Sequence, residues 1–495
     1  MRIAFLNPQG NFDPTDRGWT EHPDFGGQLV YVKELSLALG ELNCKVDILT
    51  RQIIDPNWPE FAATFDNYPG HHNIRIIRLP CGPDHLLPKE ELWPWIREWV
   101  ENIIRFYQNE GQFPVAATSH YGDGGLAAAL LQERLGTLFT FTAHSLGAQK
   151  MDQFLKSRES LSQLLQRFHF DKRIAAERLS MARASRIITS TRQERFEQYK
   201  HQIYAGAVDP QDDQKFAVIP PGVNLRLFGI DQKDEFEERI AEKVEAMLKR
   251  DIPESRCHLP VVICSSRLDR KKNHVALLRA WQVNQRLRDS ANLALVVNDH
   301  PDPLRQRNSF YSGEKLSILN QIVEILEKAN LWPCVTAFDL KNQKELAAAY
   351  RYFAKNRRGI FALTSVYEPF GLAPLEAMAC GLPAVVTKNG GPSESLQDEK
   401  TEYGILVDPN DPADIGNGLT RLTLDLREWR LMQQAGIHRV NEKHTWEKAA
   451  ESYLVEIHAI LAGEVASQRT YPIPNYFKNP ENNDIDEEWL KKHLP

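Results

Sequence analysis

The sequence lacks what would tie it to a membrane, a disulfide scaffold or a nucleic acid. No apolar run approaches the roughly 20 residues that a membrane-spanning helix needs. Met1-Arg2-Ile3-Ala4-Phe5-Leu6-Asn7 is too short an apolar opening for a secretory signal, so a cytoplasmic protein without a membrane partner is expected. The six cysteines (44, 81, 257, 264, 334 and 380) show no C-x-x-C spacing, which indicates neither a zinc site nor a disulfide framework. Several sit inside apolar runs and read as small core residues. Basic residues are in no excess: the net charge of −6 argues against a general nucleic-acid binder. Short internal repeats are missing as well.

What is present is an ordinary globular composition, 42% apolar and 25% charged, over 495 residues, enough for two domains with substantial cores. The most informative stretch runs from Thr364 to Pro392. Gly359 to Leu363 is an apolar run that reads as a buried parallel strand. Glu368-Pro369-Phe370-Gly371-Leu372 follows as a strand-to-helix turn, then a short helix to Ala379, stopped by Gly381 and Pro383. Ala384 to Thr387 is the next strand and Asn389-Gly390-Gly391-Pro392 the next loop. The first loop of this βαβ unit leaves the sheet at its carboxyl edge, where open α/β sheets bind ligands.

Seven residues separate Glu368 from Glu376. The N–H groups of Phe370, Gly371 and Leu372 lie at a helix N-terminus, where unpaired donors and the helix dipole favour an anion. A carboxylate at Glu376 can accept two hydroxyls at once, as a ribose offers, and Glu368 can hold the hydroxyls of a sugar. Acids near a helix start are common, so the pair alone says little.

Along the chain, Ile3 to Leu6 reads as the first strand, and a helix starts after Gly26-Gly27 with apolar positions at 29, 32, 35 and 39. A glycine pair there lets backbone amides approach a ligand, or is an ordinary loop-to-helix junction. Cys44 to Leu49 and Ile74 to Leu79 are further strands. The Trp/Phe/Ile stripe at 93, 96, 99, 103 and 106 reads as core packing without a ligand role.

Gly122-Asp123-Gly124-Gly125-Leu126-Ala127, after a strand, spells a dinucleotide fingerprint, and a nicotinamide dehydrogenase would rest on it. No acid follows the next strand to meet a ribose, so Tyr121 and Asp123 read instead as polar groups at a sheet edge. His144 leaves the strand ending in Thr142 toward the same edge. Lys172, Arg173 and Glu177 share a helix, where an Arg173–Glu177 pair would ordinarily mark a solvated face. Arg267 and Lys272 follow the strand Val261 to Cys264, and fixed cations there would stabilise a diphosphate leaving group. The domains are expected at 1–222 and 259–462, with a linker at 223–258 and a tail from about 463 to 495.

E-P-F-G-L-x-x-x-E with A-x-x-x-G-L-P and N-G-G-P resembles the E-x7-E signature of retaining nucleotide-sugar glycosyltransferases of GT-B architecture, an α/β fold of two Rossmann-like domains facing a central cleft. With Pro8-Gln9-Gly10, Gly26-Gly27-Gln28, His120-Tyr121-Gly122-Asp123, His144-Ser145 and Arg267 with Lys272, nearly the whole chain is similar to the sucrose-phosphate synthase branch of that family.

The resemblance implies transfer of glucose from UDP-glucose to fructose 6-phosphate with retention. It places Gly26 and Gly27 near the donor phosphates, Gln28 near the acceptor, and His144 on the transferred glucose. Arg267 and Lys272 would hold the diphosphate, Glu368 the glucose and Glu376 the ribose. Tyr121, Asp123 and Ser145 are acceptor-side candidates; Lys89, Lys150, Lys172 and Arg173 are candidates for the acceptor phosphate.

No metal is required: the one Asp-x-Asp, Asp484-Ile485-Asp486, lies in the tail, and cations with the helix dipole replace the ion. The leaving phosphate itself would accept the acceptor's proton. Two departures from the family are Asn298-Asp299 and Ala143, where glycine is more frequent. The chain shows no phosphatase-like domain, so a separate phosphatase is an expected partner, and it lacks the long N-terminal extension of sucrose synthases. Sucrose synthase, another hexose-phosphate glycosyltransferase and a non-catalytic sugar-nucleotide-binding protein are the alternatives.

Overall fold

The computed structural model describes residues 1–15, 27–156, 159–232, 235–465 and 470–494. It divides into two compact units, Met1–Pro220 with Trp446–Pro495, and Pro221–Thr445. Each is built on its own twisted sheet.

In the first unit the strands are β1 (Arg2–Leu6), β2 (Lys45–Arg51), β3 (Phe65–Asn67), β4 (Ile74–Leu79), β5 (Ala116–His120), β6 (Phe139–Thr142), β7 (Arg186–Thr189) and β8 (Phe216–Val218). Their order is β3-β4-β2-β1-β5-β6-β7-β8, parallel except for β3 at one edge. Parallel strands covered on both faces need apolar residues at every position, and β1 shows it. Ala4 and Leu6 enter one core with Trp99, Leu126 and Ile174, while Ile3 and Phe5 enter the other with Val32, Leu35 and Tyr453. Trp99, Ile96 and Ile103 are buried, as the helical stripe at 93–106 leads one to expect. Each such side chain contributes roughly 1.5–3 kcal/mol on leaving water.

The second unit has β9 (Val261–Ser265), β10 (Asn292–Val296), β11 (Val335–Phe338), β12 (Ile360–Leu363), β13 (Ala384–Thr387) and β14 (Ile405–Val407), all parallel in the order β11-β10-β9-β12-β13-β14. Residues of β9 again alternate between two cores: Val262 and Cys264 on one face, Val261 and Ile263 on the other.

Two boundaries differ from the expected ones. The stretch 223–258 is part of the second unit, because helix Glu237–Asp251 buries Ile240, Val244 and Leu248 against Val261 and Ile263. The chain returns to the first unit at Trp446, well before 463: helix Trp446–Leu461 buries Trp446, Ala450, Tyr453 and Ile457 against Leu29, Val32 and Leu35. Ile473, Phe477, Ile485 and Leu490 of the last segment join the other core of that unit. No helix among the described residues is long and apolar enough to cross a membrane.

Candidate functional site

Candidate residues gather at the carboxyl edge of each sheet. In the first unit, β5 ends at His120 and β6 at Thr142, and the chain leaves both strands through left-handed residues, Tyr121 (φ 59°) and His144 (φ 55°). Such conformations cost on the order of 1–3 kcal/mol at a non-glycine residue and persist only where surrounding structure enforces them. The glycines between them have a packing role. A Cβ on Gly124 would stand 2.5 Å from the Leu6 carbonyl oxygen, and one on Gly125 would strike Ser180 and Phe141. Close helix packing therefore accounts for these glycines without a dinucleotide.

Beside these exits lies an open cavity of roughly 80 Å³. Six of the acceptor-side candidates line it: Lys89, Tyr121, Asp123, Ser145, Lys150 and Arg173. Asp123 is buried. Its Oδ1 accepts the Gly124 N–H at 2.9 Å and the Gln9 amide at 3.3 Å, while Oδ2 has no partner among the described residues. Burial pushes its pKa up to about 7 against the lowering effect of the Gly124 N–H and the nearby charges of Lys89 and Arg173.

Arg173 pairs with Glu177 one turn on, as its spacing suggests, but the pair is far from a solvated face. Glu177 is 1% exposed and takes Arg173 Nε at 2.9 Å, the Gly147 N–H at 2.9 and 3.1 Å, and the Tyr204 hydroxyl. Arg173 Nη2 donates to the Ser145 carbonyl at 2.7 Å, and Nη1 has no partner among the described residues. A guanidinium held in this way is a preorganised fork for phosphate.

Two acceptor-side candidates lie outside this cavity. Lys172 faces away from the cavity: its ammonium donates to Asn483 at 2.7 Å and to the Ile485 carbonyl, pairs with Asp171 at 3.0 Å and sits 4.4 Å from the Tyr476 ring centre. It anchors the last segment of the chain. Gln28 is buried and donates to Asn7 Oδ1, outside the lining of the cavity. Sequence reasoning missed Gln9, Glu90, Trp93, Gly122 and Phe168 as lining residues. Trp93 belongs to the core stripe yet also faces the cavity, with a buried indole N–H that has no partner among the described residues. Its place in the same turn as Lys89 was the available signal. Phe168 lies 5.0 Å below the Lys150 ammonium.

His144 is half-buried beside the cavity wall, in edge contact with Tyr31 (4.9 Å) and tilted on Tyr121 (5.4 Å). Burial lowers its pKa to about 3, so the ring is neutral. Gly26 lies outside the described residues. Gly27 opens helix Gly27–Glu41, and among the described residues outside its own stretch of chain no atom stands within 4 Å of where its Cβ would be.

In the second unit the loop after β12 and the loop after β13 lie against each other: Glu368 N–H donates to Asn389 at 3.1 Å and Gly391 N–H to Glu368 at 3.0 Å. This contact explains the glycine pair. Gly390 has φ 96° and its Cβ would strike the Glu368 carbonyl; a Cβ on Gly391 would stand 2.5 Å from Phe370 Cα. Helix Leu372–Ala379 starts from Gly371 at φ 93°, with no side-chain cap, which leaves first-turn N–H groups for an anion. Phe370 lies 6.0 Å from the His444 ring.

Lys272 ends a short turn capped by Asp269, and its ammonium meets Glu368 Oε2 at 2.7 Å. Arg267 stands 85% exposed with only a loose approach to Asp269 at 3.9 Å. Glu376 has no hydrogen-bond partner among the described residues, and burial pushes its pKa up to about 7. At the end of β10, Asp299 adopts φ 90° and pairs with Lys315 at 2.8 Å. The backbone there keeps a shape that favours glycine although the residue is aspartate. Among the described residues no three His, Cys, Asp or Glu side chains gather as a metal site.

Comparison with known proteins places these edges in a family. Residues 1–249 match the model of the first GT-B domain of sucrose synthase, and 247–439 that of glycosyl transferases group 1. The chain is 44% identical to a probable sucrose-phosphate synthase of Thermosipho melanesiensis over 92% of this chain and 96% of that one. It is 32% identical to sucrose-phosphate synthase 1 of Arabidopsis thaliana, covering 88% of this chain but 46% of the relative, so it spans about half the length of such plant proteins. The solved sucrose-phosphate synthase of Thermosynechococcus elongatus superposes with a TM-score of 0.65 at 25% identity, over 93% of this chain and 99% of that one.

Proposed function

The chain belongs to the sucrose-phosphate synthase family of GT-B glycosyltransferases, and on that footing we propose that it transfers glucose from UDP-glucose to fructose 6-phosphate, giving sucrose 6-phosphate and UDP with retention at the anomeric carbon. The observation that carries the acceptor half is the cavity in which Lys89, Lys150 and the locked Arg173 surround one space. A hexose with a phosphate needs cations at one end and hydroxyl partners at the other. Asp123, Tyr121 and Ser145 supply the second set.

On the second unit, Glu376 accepts the ribose hydroxyls, the N–H groups of Phe370, Gly371 and Leu372 meet a phosphate, and Lys272 with Arg267 offset the charge that grows on the leaving diphosphate. Cations and helix dipole do this work without a metal. Glu368 holds glucose hydroxyls once Lys272 turns to the diphosphate, and His144 contacts the transferred sugar. Gly27 leaves room beside the donor phosphates, and Gly26 is proposed for the same part. The leaving phosphate oxygen accepts the acceptor's proton, so the protein's share is alignment and charge stabilisation. A separate hydrolase would release sucrose from the product. The free cysteines among the described residues suit a reducing compartment, the cytoplasm.

The deciding experiment measures product from UDP-glucose with fructose 6-phosphate and, in parallel, with free fructose. Sucrose 6-phosphate from the first alone is the expected outcome. Sucrose from free fructose would overturn the role of the phosphate pocket, and turnover only with ADP-glucose would overturn the donor.

A further inference from the structure

His144 does not stand alone. Its Nε2 lies 2.8 Å from Nδ1 of His120, and the two rings stack with centroids 5.0 Å apart at 22°. His120 has no exposed surface. It stacks on Phe5 at 5.5 Å, meets the edge of Tyr31 at 5.9 Å, and its Nε2 lies 3.4 Å from the Thr118 hydroxyl. Tyr31 is itself tied through the Tyr453 hydroxyl at 3.1 Å, and Tyr453 to Thr142 at 2.9 Å. His120 is therefore clamped on every side, whereas His144 sits on a strained left-handed residue at the end of β6.

Two neutral imidazoles joined nitrogen to nitrogen share one proton, and each ring carries only one N–H. The bond between them consumes Nε2 of His144 whichever ring donates. The tautomer of an imidazole is set by the hydrogen bond its other nitrogen makes. Among the described residues nothing bonds Nδ1 of His144.

We propose that His120 is a positioning residue: it fixes the ring orientation of His144 and couples the tautomer of His144 to its own, so that His144 offers a single nitrogen, Nδ1, to the transferred sugar. This rests on the proposed contact of His144 with that sugar. A misplacement of about 1 Å at such a contact can cost about a hundredfold in rate, so the pairing matters although His120 touches no substrate.

The test compares the wild-type protein with His120→Phe, which keeps the stack on Phe5 and removes the bond, with His120→Asn, which restores a polar group near Nε2 of His144, and with His144→Ala alone and combined with His120→Phe. The expected result is a kcat ten- to a hundredfold lower in His120→Phe at unchanged UDP affinity, partial recovery in His120→Asn, and no further loss when His120→Phe is added to His144→Ala. Losses that multiply, or a wild-type kcat in His120→Phe, would overturn it. An unchanged kcat in His144→Ala would overturn it through the reading it rests on, and the double variant tells the two failures apart. Should His120→Phe fail to fold, imidazole 15N spectra of the wild-type protein decide. A single tautomer of His144 with coupling to a His120 nitrogen is expected, and freely exchanging tautomers would refute the pairing.

Discussion

The two carboxyl edges are built on opposite principles. In the first unit the chemistry-bearing groups are held by protein. Glu177 gathers an arginine, a backbone amide and a tyrosine in a buried site, and His120 grips His144. In the second unit the groups are sparsely partnered. Among the described residues Arg267 is exposed, Glu376 has no partner, the helix at Gly371 lacks a side-chain cap, and Lys272 and Glu368 have chiefly each other. Preorganisation suits an acceptor whose hydroxyl must be aligned, since orientation is enforced before substrate arrives. A donor that brings a diphosphate and a ribose supplies the missing partners itself.

The comparison breaks or sharpens at particular residues. The largest effect belongs to Lys272→Ala. Loss of a cation that acts on the leaving group should lower kcat by roughly two to three orders of magnitude, measured at saturating substrates. A drop below tenfold would place the leaving-group charge elsewhere.

Next is Glu376→Gln, which should weaken uridine binding ten- to a hundredfold by calorimetry, the scale of about 1.5–3 kcal/mol for hydrogen bonds to a charged group. The sign of its pH dependence follows from a folded value near 7. The carboxylate proposed to accept ribose hydroxyls forms as pH rises through that value, so uridine affinity should climb between pH 6 and 8 and stay flat in the variant.

Arg173→Ala should raise KM for the phosphorylated acceptor about tenfold or more with donor affinity intact, again from the charged-bond scale. Equal losses with free fructose would make Arg173 a part of the frame only.

The smallest effect separates Lys172 from its neighbour. Lys172→Met should leave both KM values unchanged and lower the melting temperature by a few degrees, at roughly 2–4 °C per kcal/mol, because this lysine holds the chain around Asn483 and Ile485. A raised acceptor KM would return it to the pocket.

Much of the second unit's edge was legible because its parts are local. Strand, turn, helix start and both glutamates fall within one stretch, and N-G-G-P carries its reason in the contact with Glu368 and Phe370. The first unit's edge was harder to read. Lys172 and Arg173 are adjacent and alike in sequence, and only helix rotation sends one to the tail and the other to the cavity. Trp93 fits a core stripe by spacing, and nothing local shows that a core residue also faces a cavity. Glu177 looks like half of a surface pair until its buried partners, Gly147 and Tyr204, are brought in from other elements.

By itself, then, the sequence determined the alternation of strands and helices, the parallel sheets and the turn at the second sheet's carboxyl edge, since each follows from apolar periodicity and from glycine placed where backbone must come close. The tertiary structure alone decided the return of the chain at Trp446, the division of labour between Lys172 and Arg173, and the pairing of His120 with His144. Those depend on groups 24 to more than 300 residues apart meeting in one place, and a pattern read along the chain carries no information about which distant partner fills a given hydrogen bond.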